Sequence, residues 1–169
     1  MNTPKMFTFS WRGSSRQRKC DGFSVIDITV ALGIVGIIAL IVVPSMVKAR
    51  EQTRTTEAES RVKMLAAAIN QLAWDTGVWP NGEPRNDTAD REVWNLDTTS
   101  AGLIGKNGDF NNWKGPYLQE IPLDPWGNPY FFDPDYMVDG VWRVAVGSFG
   151  PNGQGRNLYD EDNVYVLLD

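Results

Sequence analysis

Twenty consecutive residues, 28–47, carry no charge. As a helix they would span about 30 Å, the thickness of a bilayer core. A secretory signal has a shorter apolar run, about 7–15 residues, ahead of a small-residue cleavage site. This run is longer and has no clear exit of that kind. A single-pass anchor is therefore the plainest reading, and a buried helix of a soluble domain is another. Charge sets the direction. Residues 1–22 carry a net +4 and the rest of the chain −9, for −5 in all. The basic end is expected to stay cytoplasmic and the acidic remainder to cross. An acidic total also argues against a nucleic-acid partner. The chain has no His, which removes His-based triads and His metal ligands, and only one Cys, which removes an intrachain disulfide.

Three residues do not suit a plain anchor. Asp27 lies at the start of the apolar stretch, where an unpaired carboxylate costs about 2.5–3.5 kcal/mol at membrane depth. Gly22 stands at the junction between charged and apolar sequence. Pro44 falls late in the stretch, where it removes a backbone hydrogen bond and bends or loosens a helix.

The order basic leader, Gly22-Phe23, Ser24-Val25-Ile26-Asp27 resembles the leader of type IV pilins and of type II secretion pseudopilins. The resemblance implies that a membrane prepilin peptidase cuts between Gly22 and Phe23 and that Phe23 is then N-methylated. Residues 1–22 would be a cleaved leader. Asp27 becomes the fifth residue after the cut, where the family normally has Glu, and Pro44 falls where pilins often carry a helix-loosening proline. The new amine of Phe23 supplies the missing cation, because in such filaments this carboxylate faces a neighbour's N-terminus. Opposite charges attract strongly in a low dielectric. Cys20 lies in the leader, so the processed chain would hold no thiol.

Beyond the apolar stretch, Val62, Leu65, Ile69 and Leu72 recur at helical spacing. Neither Gly nor Pro occurs between Lys48 and Thr76, and Gly77 and Pro80 follow. One long helix is expected from about Ser24 to Asp75. Its first part, 23–47, would be transmembrane or filament core, and its second part, 48–76, an amphipathic continuation. Gly33 and Gly36 permit close helix approach or are ordinary small residues of a membrane helix. A head domain is expected over 77–169. Residues 77–112 read as a long loop with short helical pieces, in which Trp79 and Trp94 serve as core or loop anchors. Strands are expected at 130–132, 141–147 and 164–168. Together these predict an α+β pilin fold, a long N-terminal helix packed on a small antiparallel sheet.

Residues 113–130, WKGPYLQEIPLDPWGNPY, narrow the resemblance to the major pseudopilin of type II secretion systems. The matching residues are Trp113, Gly115, Pro116, Tyr117, Leu118, Pro122, Asp124, Pro125, Trp126, Gly127, Asn128, Pro129 and Tyr130. That head usually binds one calcium ion in the loop between its last strands. Calcium takes 6–8 oxygen ligands, and the resemblance places Asn152, Asp160 and Asp162 there. Asn152 stands where the family has Asp, which removes one negative charge. A solvated acidic loop is the competing reading.

The sequence thus predicts a non-enzymatic filament subunit in the inner membrane of a bacterium, with a periplasmic head. Its implied partners are further copies of itself, other pseudopilins, the prepilin peptidase and an inner-membrane assembly platform. A type IV pilin or minor pilin is the alternative within this class. A membrane-anchored periplasmic binding module is the alternative outside it. Asp124, Asp133 and Asp135 could form a carboxylate pair, but turn chemistry accounts for them better.

Overall fold

A computed structural model describes residues 22–86, 91–107 and 110–168. The residues of the leader before Gly22, Cys20 among them, lie outside this set. The elements are a helix α1, Val25–Thr76, a 3₁₀ turn, Thr99–Ala101, and three strands, β1 (Phe131–Val138), β2 (Val141–Ser148) and β3 (Val164–Leu167). The strands form one antiparallel sheet in the order β1-β2-β3. The chain divides into two units at Val43/Pro44.

In the first unit the helix is apolar around its whole circumference, and its large side chains are exposed from Val25 onward. It is long and apolar enough to cross a membrane. Helical structure continues through Pro44, although a proline cannot donate the usual hydrogen bond to the preceding turn.

In the second unit the same helix has one apolar stripe. Val62, Leu65, Ile69 and Leu72 are fully buried, with Ala58, Ala66, Ala68 and Ala73 between them. Burying each of the larger side chains stabilises the fold by about 1.5–3 kcal/mol. Gly77 closes the helix in a left-handed conformation, φ 80°, with its N–H on the Ala73 carbonyl.

The sheet uses both faces, as strand alternation requires. Phe132 and Val146 pack toward the helix stripe, with Trp79, Leu96, Leu103 and Phe110. Phe131, Tyr136, Ala145 and Phe149 form a second, smaller cluster, covered by Trp94 and Tyr159. Phe131 and Phe149 stack at 4.7 Å.

β1 is longer than the three residues expected. It continues through Asp133-Pro134-Asp135, which reads as a turn in sequence. The register with β2 slips between Asp133 and Tyr136. Pro134 has no N–H to give a ladder, and a bulge is where a strand tolerates it.

Segment 77–112 has little regular structure. Its single short helical piece among the described residues is the 3₁₀ turn. It is nevertheless fastened at several points. Val93 and Phe132 exchange two backbone hydrogen bonds of 2.8 Å. Trp79 is buried against Phe132 at 5.8 Å. Trp113 donates from Nε1 to the Gly102 carbonyl at 2.7 Å.

Candidate functional site

The start of α1 is a capping box written Ser-x-x-Asp. The Ile26 N–H donates to Ser24 Oγ at 3.3 Å, and the Ser24 N–H donates to Asp27 Oδ2 at 3.1 Å. Two of the donors left free at a helix start are thereby satisfied. An acid in the first turn also faces the positive end of the helix dipole. Gly22 and Phe23 lie just outside the helix, and Phe23 is 88% exposed. The peptide bond between them is reachable, and a side chain added at Gly22 would meet nothing.

The Pro-Leu-Asp-Pro-Trp-Gly-Asn-Pro-Tyr stretch, 122–130, acts as a joint in the head. Asp124 is buried, and its Oδ1 accepts the N–H groups of Trp126 at 3.0 Å and Asn128 at 2.7 Å. Its Oδ2 accepts the hydroxyl of Ser148 at the end of β2. Ser148 Oγ in turn accepts the Gly150 N–H at 3.0 Å, and Asn128 Nδ2 donates to the Gly150 carbonyl at 3.1 Å. The motif therefore grips the first turn of the loop 149–163. On its other side, Trp126 Nε1 donates to Glu51 Oε2 on α1 at 3.1 Å, while Arg54 holds Glu51 Oε1 at 3.0 Å.

The loop closes on itself at a neck. Asn152 Nδ2 donates to Asp160 Oδ2 at 2.8 Å, and Asn152 Oδ1 accepts the Gln154 N–H at 2.8 Å. Gly150 lies against the Asp162 backbone carbonyl so closely that a Cβ would collide with it. Two of the three candidate ligands, Asn152 and Asp160, thus touch. The third, Asp162, contributes its backbone to the neck, while the residue is exposed beside Glu161.

Two oxygens in this loop are buried without a hydrogen-bond partner, Asp160 Oδ1 and Asn163 Oδ1. Unsatisfied buried acceptors are rare, and a cation is one way to satisfy them. Carboxylate and amide oxygens are the donors that suit a hard cation such as calcium. Among the described residues, however, no group of three or more His, Cys, Asp or Glu side chains is arranged to hold a metal ion, so amide and backbone oxygens would have to complete a shell.

Asn163 was missed in sequence. It is 8% exposed, donates from Nδ2 to the Tyr136 hydroxyl at 3.0 Å, and leaves Oδ1 free. Its position directly before β3 was the available signal, because a polar residue there is carried inward with the strand.

Asp133 and Asp135 do lie together, whereas Asp124 is separate and serves a turn. The Asp135 N–H donates to Asp133 Oδ1 at 2.9 Å. Burial first, and the Asp135 carboxyl second, push the Asp133 carboxyl up to about 7. Near the end of α1, Lys114 Nζ at 2.9 Å and the Tyr117 hydroxyl at 3.1 Å both reach Asp75. The Lys114 hydrogen bond holds the Asp75 carboxyl below its ordinary value.

Comparison with known proteins agrees with this architecture. Residues 45–164, well over half the chain, match the family described as type II secretion system (T2SS), protein G. The type II secretion system core protein G of Pseudomonas aeruginosa is 31% identical over 156 residues, covering 88% of this chain and 97% of the relative. The protein of the same name from Vibrio cholerae is 29% identical over 141 residues, covering 82% and 86%. A crystal structure of the major pseudopilin from the type 2 secretion system of enterohaemorrhagic Escherichia coli is similar at a TM-score of 0.46 and 17% identity, over 70% of this chain and 86% of that one. That likeness carries no weight of its own. On the sequence matches, the chain belongs to the type II secretion system protein G family.

Proposed function

We propose that this chain, by family a structural pseudopilin and part of a multi-protein secretion complex, works as a filament subunit polymerised through its N-terminal helix to drive protein export across the outer membrane. By family it is not an enzyme. The observation that carries the reading is α1 itself. One helix joins a length whose apolar side chains are exposed all round to a length whose stripe is buried in the head. Exposed apolar surface of that extent needs lipid or other helices around it. A subunit that exchanges one for the other passes from membrane to filament.

In this reading the chain is a single-pass inner-membrane protein with a cytoplasmic leader and a periplasmic head. Prepilin peptidase cuts between Gly22 and Phe23, and Phe23 is then N-methylated. Asp27 is held by the capping box until a neighbour's amine competes for it. Pro44 gives the helix freedom where the apolar length ends. The assembly platform and the other pseudopilins complete the machine.

A calcium ion at the neck of loop 149–163 would be held by Asp160 with Asn152, Asp162 and Asn163. When bound it supplies the positive charge that the buried oxygens lack. Asp124, Asn128 and Ser148 hold the backbone of that loop in place from below.

The test is the intact mass and N-terminal peptide of the protein from a native membrane fraction. A peptide beginning at Phe23 and heavier by one methyl group is expected. An intact Met1 leader in a host with active prepilin peptidase overturns the filament reading.

A further inference from the structure

Asp133 stands in the middle of β1, at the slip in register with β2, and is 1% exposed. A buried carboxylate is costly unless a cation or several donors face it. Here the charged groups acting on it are acids, Asp135 on its own strand and Glu92 on the segment bridged to β1 through Val93 and Phe132. Tyr159 from loop 149–163 is acted on by all three acids, and Tyr136 from β1 by Asp133 and by Asp160. Of the cations on neighbouring elements, Arg143 on β2 lies opposite Tyr136 and is exposed. Arg156 lies over the Trp94 ring at 5.2 Å, and Arg91 pairs with Glu83 at 2.7 Å.

Asp133 and Asp135 are joined through the backbone, the Asp135 N–H donating to Asp133 Oδ1 at 2.9 Å. Burial and the like charges of its neighbours favour the protonated form of Asp133. Asp135 Oδ1 is also buried with no hydrogen-bond partner.

We propose that Asp133, Asp135 and Glu92 form a pH-sensitive clasp, in which a proton on Asp133 keeps segment 91–94 closed over β1 and the loss of that proton releases the segment. The weakest restraint gives first. β2 is tied to β1 along most of its length, whereas segment 91–94 is held to β1 by the two backbone hydrogen bonds of the Val93–Phe132 bridge and the packing of Trp94, with Arg91 bonded to Asn81 and Glu83. Glu92 sits beside that bridge, so a second buried charge at Asp133 repels it. Releasing the segment lifts Trp94 off Phe131 and Phe149, against which it now packs at 6.4 and 6.0 Å.

The direction follows from the raised carboxyl of Asp133. A group whose folded pKa exceeds its unfolded value stabilises fully below the unfolded value. That stability fades as pH rises toward and through the folded one. The clasp is closed at about pH 5 and weakened above about pH 7.

The test is amide hydrogen exchange of the full chain in detergent micelles between about pH 5 and 8.5, corrected for intrinsic exchange. Protection at Val93 and Phe132 is expected to fall at least about tenfold across that range, and Asp133→Asn is expected to remove the dependence. Unchanged protection in the unaltered chain, or an unchanged pH dependence in a folded Asp133→Asn, overturns the proposal. Should Asp133→Asn not fold, Asp135→Asn and Glu92→Gln decide. Each removes one repelling neighbour and must move the midpoint to lower pH. A midpoint that stays in place in both overturns it.

Discussion

Asp124 accepts the Ser148 hydroxyl across 24 residues of sequence, and this bond joins the Asp-Pro-Trp-Gly-Asn-Pro-Tyr stretch to the end of β2. Four donors converge on that one buried carboxylate: the N–H groups of Trp126 and Asn128, the Asn128 side-chain amide at 3.5 Å and the Ser148 hydroxyl. Replacing Asp124 with Ala removes the acceptor of all four. An unsatisfied buried group costs about 1–3 kcal/mol, so a loss of about 3 kcal/mol is expected on denaturant unfolding followed by tryptophan emission. Ser148→Ala removes fewer bonds and should cost about 1–2 kcal/mol. Equal losses in the two variants would mean that Asp124 is not the centre of the joint.

Gly150 has φ +66°, and a Cβ there runs into the backbone of Asp162. Gly140, at φ +78°, has open space around it. Both positions disfavour a side chain by about 1 kcal/mol for conformation alone. Only Gly150→Ala must also pry open the neck of loop 149–163. It should destabilise the head by clearly more than Gly140→Ala in paired thermal melts. A Gly150→Ala chain as stable as its Gly140→Ala counterpart would show that the neck is not closed in solution.

Calcium at millimolar concentration should raise the melting temperature of the full chain in detergent. Asp160→Asn should abolish the rise, since it removes the charge next to a buried acceptor that has no partner. Magnesium should do less, because it holds its waters more tightly and demands a stricter geometry. With no calcium-dependent rise in the unaltered chain, the ion is withdrawn and the Asn152–Asp160 bond remains as the clasp of the loop.

Asp75 gives a dependence on acid opposite in sign to that of Asp133. Lys114 and Tyr117 donate to its carboxylate, and its pKa is lowered from the ordinary 3.8. A depressed folded pKa stabilises above the unfolded value, and the stability is lost as pH falls through the folded one. The melting temperatures of the unaltered chain and of Asp75→Asn should therefore differ at neutral pH and converge as pH falls below the ordinary value of 3.8 and through the lowered one. A constant gap down to about pH 2 would show that the bond to Lys114 contributes nothing that titrates.

Much of the helix was legible because its signals are local. A strict apolar stripe, a stretch free of Gly and Pro, and Gly77 as a stop placed it at about Ser24 to Asp75, and it runs Val25–Thr76. β2, expected at 141–147, runs Val141–Ser148, and β3, expected at 164–168, runs Val164–Leu167. β1 was cut short because Asp133-Pro134-Asp135 has the composition of a turn. Only pairing with β2 shows that the strand continues through a bulge. The tie between Trp126 and Glu51 spans 75 residues, and no local pattern announces such a partner. Asn163 was hidden for a related reason. It looks like one more polar residue in an acidic loop until Tyr136, 27 residues away, takes its amide. The Ser24–Asp27 capping box could have been read from its spacing alone. The acid at 27 drew attention to what lies outside the chain rather than to its own first turn.

The bulge in β1 has a consequence for crowding. A sheet of three strands leaves two rims whose backbone groups can recruit a strand from another molecule. On one rim Pro134 and the slipped register break the row of donors, and the Val93 bridge occupies part of it. On the other, β3 is only four residues long. Neither rim offers a stretch long and regular enough to template an added strand. Heads of this kind can be stacked at high local density, as the copies in a secretion filament are, without their sheets fusing into a continuous fibre. Cohesion is then left to the helices, whose contacts can be made and undone.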